Sequence, residues 1–399
     1  MKVLFILPNY EPAWAFGGVV RCISTLCRAM VKIGVDVTVY TTNIDGRGGV
    51  LPVKQAELVE MGGVKIYYFQ STFGKNSAWA SHQLSRTLDK TIQSFDIIYI
   101  SAVWQWIAIA TSRLAKKHRV PYIMGTHGAF DEVLLNIRKT KKRLYYYLFL
   151  KKCIEGAGAI HFTTEYERHQ SVMLTSVCHS FIIPNCVAPK EFKADMSLRE
   201  QLRNELKIPH NASLLLTVGR PDPKKRIDIL LKALKKLNES YPDTRLMIVG
   251  QSDGKYCQKM KALSETLGVQ GNVIWAGHKT GENLDACYLA SDLFVLPSID
   301  ENFGMAVVEA MAHGVAVVVS DNVGVADNVA LSDAGIVTTV DAGQVEKAIR
   351  TLLDHPYMRT EMAVKARHAA KQYYNDETVA KLMTIAFKDI ITGSMSEQC

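Results

Sequence analysis

Short apolar runs rich in β-branched residues alternate with longer stretches of helical periodicity along the chain. In the first half, Val3–Leu7, Val35–Tyr40, Val64–Phe69, Ile97–Ile100, Tyr122–Met124, Ala159–Phe162 and Phe181–Ile183 are expected to be strands. Val19–Ile33, Ser81–Gln93 and Ile107–His118 are expected to be helices between them. The second half repeats the scheme. Leu214–Val218, Leu246–Val249, Val273–Trp275, Leu293–Leu296, Ala316–Val319 and Gly335–Val337 have strand character; Arg226–Ser240, Lys255–Leu267, Asn283–Ala290 and Met305–His313 have helix character. Continuous apolar strands separated by helices indicate parallel sheets covered on both faces. The expected class is α/β, with two Rossmann-like doubly wound domains facing across a cleft.

The domain break is expected where Pro184, Pro189 and Pro209 punctuate a polar stretch. This gives an N-terminal domain over 1–188, a second over 189–375, and a C-terminal stretch over 376–399 in which Asp376–Ile391 is expected to be a helix. Ligands of such sheets bind beyond the carboxyl ends of the strands, so the loops there are where chemistry is sought.

Composition narrows the picture little. With 399 residues, 48% hydrophobic and 22% charged, the chain is long enough for two domains and ordinary for a globular protein. A net charge of +8 suits an anionic partner without choosing among phosphates, nucleic acid and an anionic membrane. No RRM or helix-turn-helix signature supports the nucleic-acid reading. The eight cysteines form no C-x-x-C pair and no zinc spacing, which points to reduced, buried thiols in a cytosol. The apolar start MKVLFIL is cut short by Pro8, too early for a signal peptide, and no 18-residue apolar stretch exists. Membrane contact, if made, is expected to be peripheral.

Four segments at strand ends carry candidate chemistry. In residues 292–321 a buried strand is followed by a turn with Asp300 and Glu301, then Phe303-Gly304 opens a helix containing Glu309. The backbone N–H groups after Gly304 stand at a helix N-terminus, a site suited to phosphate. Glu309 is flanked by Val307, Val308, Ala310 and Met311, and a charge in so apolar a helix requires a partner. In residues 214–228 Arg220 follows a buried strand, and Lys224, Lys225 and Arg226 gather where a helix begins, as if awaiting an anion. In residues 8–21 Gly17-Gly18 allows close backbone approach before the first helix, but G-x-G-x-x-G is absent and no acid follows the second strand, so nicotinamide binding is disfavoured. In residues 122–131 His127 follows a strand between Gly125 and Gly128.

Together these segments resemble the retaining glycosyltransferases of family 4, which adopt the GT-B fold. Glu301 to Glu309 matches that family's E-x7-E element, and Gly219-Arg220 with Lys225 matches its GR…K element. Where the family commonly has glycine after that lysine, this chain has Arg226; its PNG-like interdomain turn is here Pro184-Asn185-Cys186. The resemblance implies that Arg220 and Lys225 bind a donor diphosphate, Glu309 the ribose hydroxyls and Glu301 the transferred sugar. Gly17-Gly18 would border the donor and His127 would lie near the reacting sugar. It implies a UDP- or GDP-hexose donor, no cofactor and no metal. The expected acceptor is a glycan, polyprenyl-diphosphate-linked, in cell-surface polysaccharide synthesis at the cytoplasmic face.

The segment 137–152 combines seven Lys/Arg with Tyr145, Tyr146, Tyr147 and Phe149. It suits either an anionic membrane surface or a core-facing helix with a solvated basic side. A sugar-nucleotide epimerase, which uses two similar domains and needs no acceptor, is the competing enzyme class.

Overall fold

The computed structural model describes the chain except residues 47–48, 72–80, 102, 132–138, 172–173, 175–178, 189–195, 210, 252 and 395–399. Pro189 at the expected boundary, Ile137 and Arg138 at the start of the basic segment, Cys178 and Cys399 lie outside the described residues. The chain divides into two compact units. Unit 1 comprises Met1–Cys186 with Asp376–Cys399, and unit 2 comprises Val187–Asn375.

The strands of unit 1 are β1 (Lys2–Ile6), β2 (Asp36–Thr42), β3 (Leu58–Met61), β4 (Val64–Phe69), β5 (Ile97–Ser101), β6 (Tyr122–Gly125), β7 (Ala159–Phe162) and β8 (Ser180–Ile182). Among the described residues they form one sheet in the order β3-β4-β2-β1-β5-β6-β7-β8. All neighbours are parallel except β3, which pairs antiparallel with β4 at the edge. Sequence reading missed β3, whose LVEM run is half-exposed and carries no continuous apolar signal.

Alternate residues of β1 enter opposite cores, as the two-residue period of a strand requires. Val3 and Phe5 pack with the Gly18–Lys32 helix on one face; Leu4 and Ile6 pack with the His82–Thr91 and Trp106–His118 helices on the other. The Asp376–Thr392 helix belongs to the first of these cores, with Val379, Ala380, Met383 and Phe387 almost fully buried.

Unit 2 is built from β9 (Leu214–Val218), β10 (Arg245–Val249), β11 (Val273–Gly277), β12 (Leu293–Leu296), β13 (Ala316–Ser320) and β14 (Gly335–Thr338). Their order is β11-β10-β9-β12-β13-β14, all parallel. The chain runs outward from β9 to β11, returns to β12, and runs outward the other way. The strand order therefore reverses between β9 and β12, the position at which doubly wound sheets open a ligand crevice at their carboxyl ends.

Unit 2 has two cores of the same alternating kind. Leu214, Leu216 and Phe294 face the Glu282–Ala290, Met305–Ala312 and Pro356–Tyr373 helices; Leu215, Leu293 and Val295 face the Ile227–Asn238 and Ala342–Asp354 helices. The polar Met196–Glu205 helix, not anticipated from sequence, has no buried residue of its own; it is held by Arg199 and Arg203, whose guanidinium groups both pair with Asp292.

Candidate functional site

The loops after β9 and β12 meet at this reversal point. The backbone N–H of Ile299 donates to the Lys224 carbonyl at 2.9 Å. The β12 loop is also tied on its other side: Glu301 N–H donates to Asn322 O (3.0 Å), Gly324 N–H to Glu301 O (2.8 Å) and Val325 N–H to Phe303 O (3.0 Å). Gly324 is required for this closeness, because a Cβ there would stand 2.0 Å from the Asn302 carbonyl oxygen.

Charges follow the same pairing. Lys224 Nζ pairs with Asp300 and Lys225 Nζ with Glu301. Arg226 holds a left-handed backbone (φ 49°) just before the Ile227–Asn238 helix and makes two 2.9 Å hydrogen bonds to Asp228. Burial raises the Asp228 carboxyl, but the Arg226 hydrogen bond and charge outweigh it and hold the acid below its ordinary range. Lys224 and Lys225 lie in a short 3-10 turn, Pro223–Lys225, capped by Asp222, rather than in the first turn of the following helix. The three cations expected to await an anion thus each have an internal carboxylate. Arg220 does not: it is exposed at the end of β9, and among the described residues no hydrogen bond or ion pair engages it.

Gly304 precedes the Met305–Ala312 helix at φ 99°, and no side chain caps the helix. A Cβ at Gly304 would press within 2.8 Å of Val323 Cγ1, so the sharp entry into the helix depends on glycine. Phe303 is buried against Tyr374. The first-turn N–H groups from Met305 onward therefore have no side-chain cap, and the positive end of the helix dipole lies behind them.

Glu309 lies in the second turn and is 5% exposed. Its partner, which sequence reading required but did not identify, is Tyr288, whose hydroxyl donates to Glu309 Oε2 at 2.7 Å. The Tyr288 ring is stacked on His313 with centroids 5.0 Å apart, and His313 Nδ1 donates to the Glu309 carbonyl at 2.7 Å. Tyr288 thus fixes the rotamer of the buried acid, and His313 packs against the tyrosine ring that does so.

Gly17, Gly18 and His127 belong to unit 1. Gly17 (φ 82°) precedes the Gly18–Lys32 helix, and both glycines are exposed. A Cβ on Gly17 would meet nothing within 4 Å. His127 follows β6 with a left-handed backbone, φ 44°. Its loop is held by Glu167, which accepts hydrogen bonds from Thr126 Oγ1 (2.6 Å), Gly128 N (2.5 Å), Thr163 N (2.6 Å) and Thr163 Oγ1 (2.7 Å).

His127 also starts a chain of side chains absent from the sequence reading. Tyr99 Oη lies 3.0 Å from His127 Nε2 and 2.8 Å from His161 Nδ1, and His161 Nε2 lies 2.8 Å from the Ile183 carbonyl. Burial lowers both histidines; His161, with His127 beside it, falls to about 4, while Glu167 acts in the opposite direction on both. A tyrosine in β5 and a histidine in β7 interrupt otherwise apolar runs, the one sequence signal that could have flagged them.

The basic segment is a helix through Lys139–Tyr145, a π turn at Tyr146–Leu150 and a final turn Lys151–Ile154. The segment has a core side and an exposed side. Tyr146, Leu150, Cys153 and Ile154 enter the core, while Leu144, Tyr147 and Leu148 are 58–60% exposed among lysines and arginines. No helix among the described residues is long and apolar enough to cross a membrane. Among those residues no cluster of three or more His, Cys, Asp or Glu could hold a metal ion. The described cysteines are all buried free thiols.

Comparison with known proteins bears on both units. Residues 16–191 match the family model of Glycosyltransferase Family 4, and residues 199–372 that of Glycosyl transferases group 1. The chain is 27% identical over 412 residues to the lipopolysaccharide glucosyltransferase WaaG of Escherichia coli (strain K12), spanning 99% of this chain and 100% of that one. It is 25% identical over 341 residues to a glycosyltransferase of Methanocaldococcus jannaschii, spanning 80% of each. Its fold matches that of Anabaena Alr3699/HepE, solved in complex with UDP and glucose, with a TM-score of 0.77 at 19% identity over 97% of this chain and 99% of that one. The two parallel-sheet units are GT-B domains.

Proposed function

We propose that this glycosyltransferase, an enzyme of two GT-B domains, moves a hexose from a UDP- or GDP-hexose to a hydroxyl of a glycan acceptor, with retention of anomeric configuration. The observation that carries this reading is the grouping at the sheet reversal of unit 2. Arg220, which has no hydrogen bond or ion pair among the described residues, the Lys225–Glu301 pair and the uncapped start of the Met305–Ala312 helix are all carried by the loops after β9 and β12, which a backbone hydrogen bond joins.

The chemical problem is cleavage of the bond from the anomeric carbon to phosphate, in which negative charge grows on the departing diphosphate. Arg220, Lys225 and the N–H groups of Phe303, Gly304 and Met305 would stabilise that charge, and preorganised donors of this kind usually supply the largest catalytic effect. On binding, Lys225 would exchange part of its Glu301 contact for phosphate, freeing Glu301 to accept from sugar hydroxyls. Glu309 would accept from the ribose diol. From unit 1, Gly17-Gly18 would allow close backbone approach and His127 would contact the sugar. The acceptor hydroxyl would attack from the face the diphosphate leaves, and the diphosphate would take its proton. With these cations present, catalysis would need neither metal nor cofactor.

The lipopolysaccharide substrate in the name of the E. coli relative supports a cell-surface glycan, lipid-linked, as acceptor. The exposed Leu144, Tyr147 and Leu148 among basic residues support peripheral contact with the cytoplasmic face of an anionic membrane. Flotation with anionic vesicles at low salt tests this, and failure to float would remove the membrane contact.

Turnover against UDP- and GDP-hexoses, with EDTA present and lipid-linked glycans as acceptors, tests the activity. Transfer with retained anomeric configuration is the expected result. Conversion of the donor in the absence of any acceptor would instead favour the epimerase reading, and loss of transfer in EDTA would overturn metal independence.

A further inference from the structure

We propose that Tyr99 and His161 are positioning residues that lock His127 as its Nε2–H tautomer, so that Nδ1 is a bare acceptor that discriminates for a ligand hydroxyl. This rests on the placement of His127 at the reacting sugar proposed above, and extends it to what sets its hydrogen-bonding sense.

The proton order follows from a fixed end point. A carbonyl oxygen only accepts, so His161 Nε2 carries the hydrogen that reaches Ile183 O at 2.8 Å. Both rings are held neutral by burial. A neutral His161 with hydrogen on Nε2 has a bare Nδ1, which must accept, so Tyr99 donates its single hydroxyl hydrogen there across 2.8 Å. Tyr99 Oη can then only accept from His127, so His127 Nε2 carries the hydrogen across 3.0 Å. A neutral His127 is left with a lone pair on Nδ1. That atom is enclosed and has no hydrogen-bond partner among the described residues.

The backbone is shaped for this relay. A Cβ on Gly125 would stand 2.0 Å from Tyr99 Oη and 3.0 Å from His127 Nε2, so only glycine leaves room for the tyrosine hydroxyl between the two rings. The other ionisable groups acting on the relay are Glu167, which holds the His127 loop, and Cys22 and Cys27, which lie near Tyr99. Among the described residues none donates a hydrogen bond to Nδ1.

An enclosed acceptor without a donor is costly, and a ligand hydroxyl that reaches it removes that cost. An analogue lacking the hydroxyl does not. Sites built in this way reject deoxy analogues far more strongly than apolar pockets reject a missing methylene.

Long-range ¹H–¹⁵N correlation of histidine-labelled protein reads the tautomer directly, without turnover. The expected spectrum places the His127 hydrogen on Nε2 in the wild type and spreads it over both nitrogens in Tyr99→Phe. In parallel, kcat/KM is measured for the UDP-hexose used and its monodeoxy analogues. One analogue should lose about 10²-fold or more in the wild type, and that penalty should shrink sharply in Tyr99→Phe. Wild-type His127 carrying its hydrogen on Nδ1, or a Tyr99→Phe variant that keeps both tautomer and discrimination, would overturn the lock. A His127→Ala variant with wild-type kcat/KM would instead remove His127 from the sugar, whatever its tautomer.

Discussion

Lys225 and Glu301, 76 residues apart in the sequence, form an ion pair between the loops that follow β9 and β12. The two side chains are 20% and 24% exposed, neither solvated freely nor sealed off. A pair in such a position contributes little to stability but keeps a cation and an acid preorganised for exchange with a ligand. Lys225→Met is expected to lower kcat/KM for the donor by about 10²–10³-fold while moving Tm only slightly. Steady-state kinetics and a melting curve on the same preparation check this. A near-normal rate would take Lys225 out of the reaction.

Arg220 separates function from stability more cleanly. It is exposed and unengaged, so Arg220→Ala should change unfolding free energy by no more than about 0.5 kcal/mol. Donor affinity and rate should both fall. Urea unfolding with binding of the nucleoside diphosphate by calorimetry distinguishes the two. Undiminished diphosphate binding would remove Arg220 from the phosphate site.

Tyr288→Phe removes the hydroxyl that donates to buried Glu309. Left with one donor fewer in an apolar setting, the carboxylate should cost the fold about 1–3 kcal/mol. Glu309→Gln keeps an acceptor for Tyr288 and should unfold closer to wild type while binding donor more weakly. Denaturant midpoints of both variants check the order; equal stability of Tyr288→Phe and wild type would contradict it.

The buried histidines predict an acid-side loss of stability. The His161 ring falls from an ordinary 6.5 to about 4 in the folded protein, chiefly through burial and then through His127. Between those values the unfolded chain binds a proton that the folded one refuses, so stability is full above about 6.5 and declines as pH falls toward 4. The contribution is on the order of 3 kcal/mol. Urea midpoints measured from neutral pH downward should decrease across this window. A flat profile would show that His161 is protonated in the fold.

Much of this architecture is legible in the sequence because strands buried on both faces are written as unbroken apolar runs. β4 and β12 coincide with their expected limits. β3 is not legible because an exposed edge strand needs no such run. The site is legible only in part. Lys224, Lys225 and Arg226 look like surplus charge when read locally, because Asp300 and Glu301 lie 76 residues away and close on Lys224 and Lys225 only through the β9–β12 reversal. Of these neighbouring cations Arg220 is left without a hydrogen bond or ion pair among the described residues. Tyr99 and His161 are single polar residues within apolar strands, and nothing local relates them to His127; their relation comes from the β5-β6-β7 neighbourhood.

The membership of the Asp376–Thr392 helix in unit 1 has a consequence for biosynthesis. Met383 and Phe387 are fully buried in that unit's core, each representing about 1.5–3 kcal/mol, against a net stability of about 5–15 kcal/mol for a typical domain. The amino-terminal unit, although translated first, cannot complete its core until the ribosome has released residue 387. During elongation unit 2 can finish first, while the half made earliest waits with an open apolar socket.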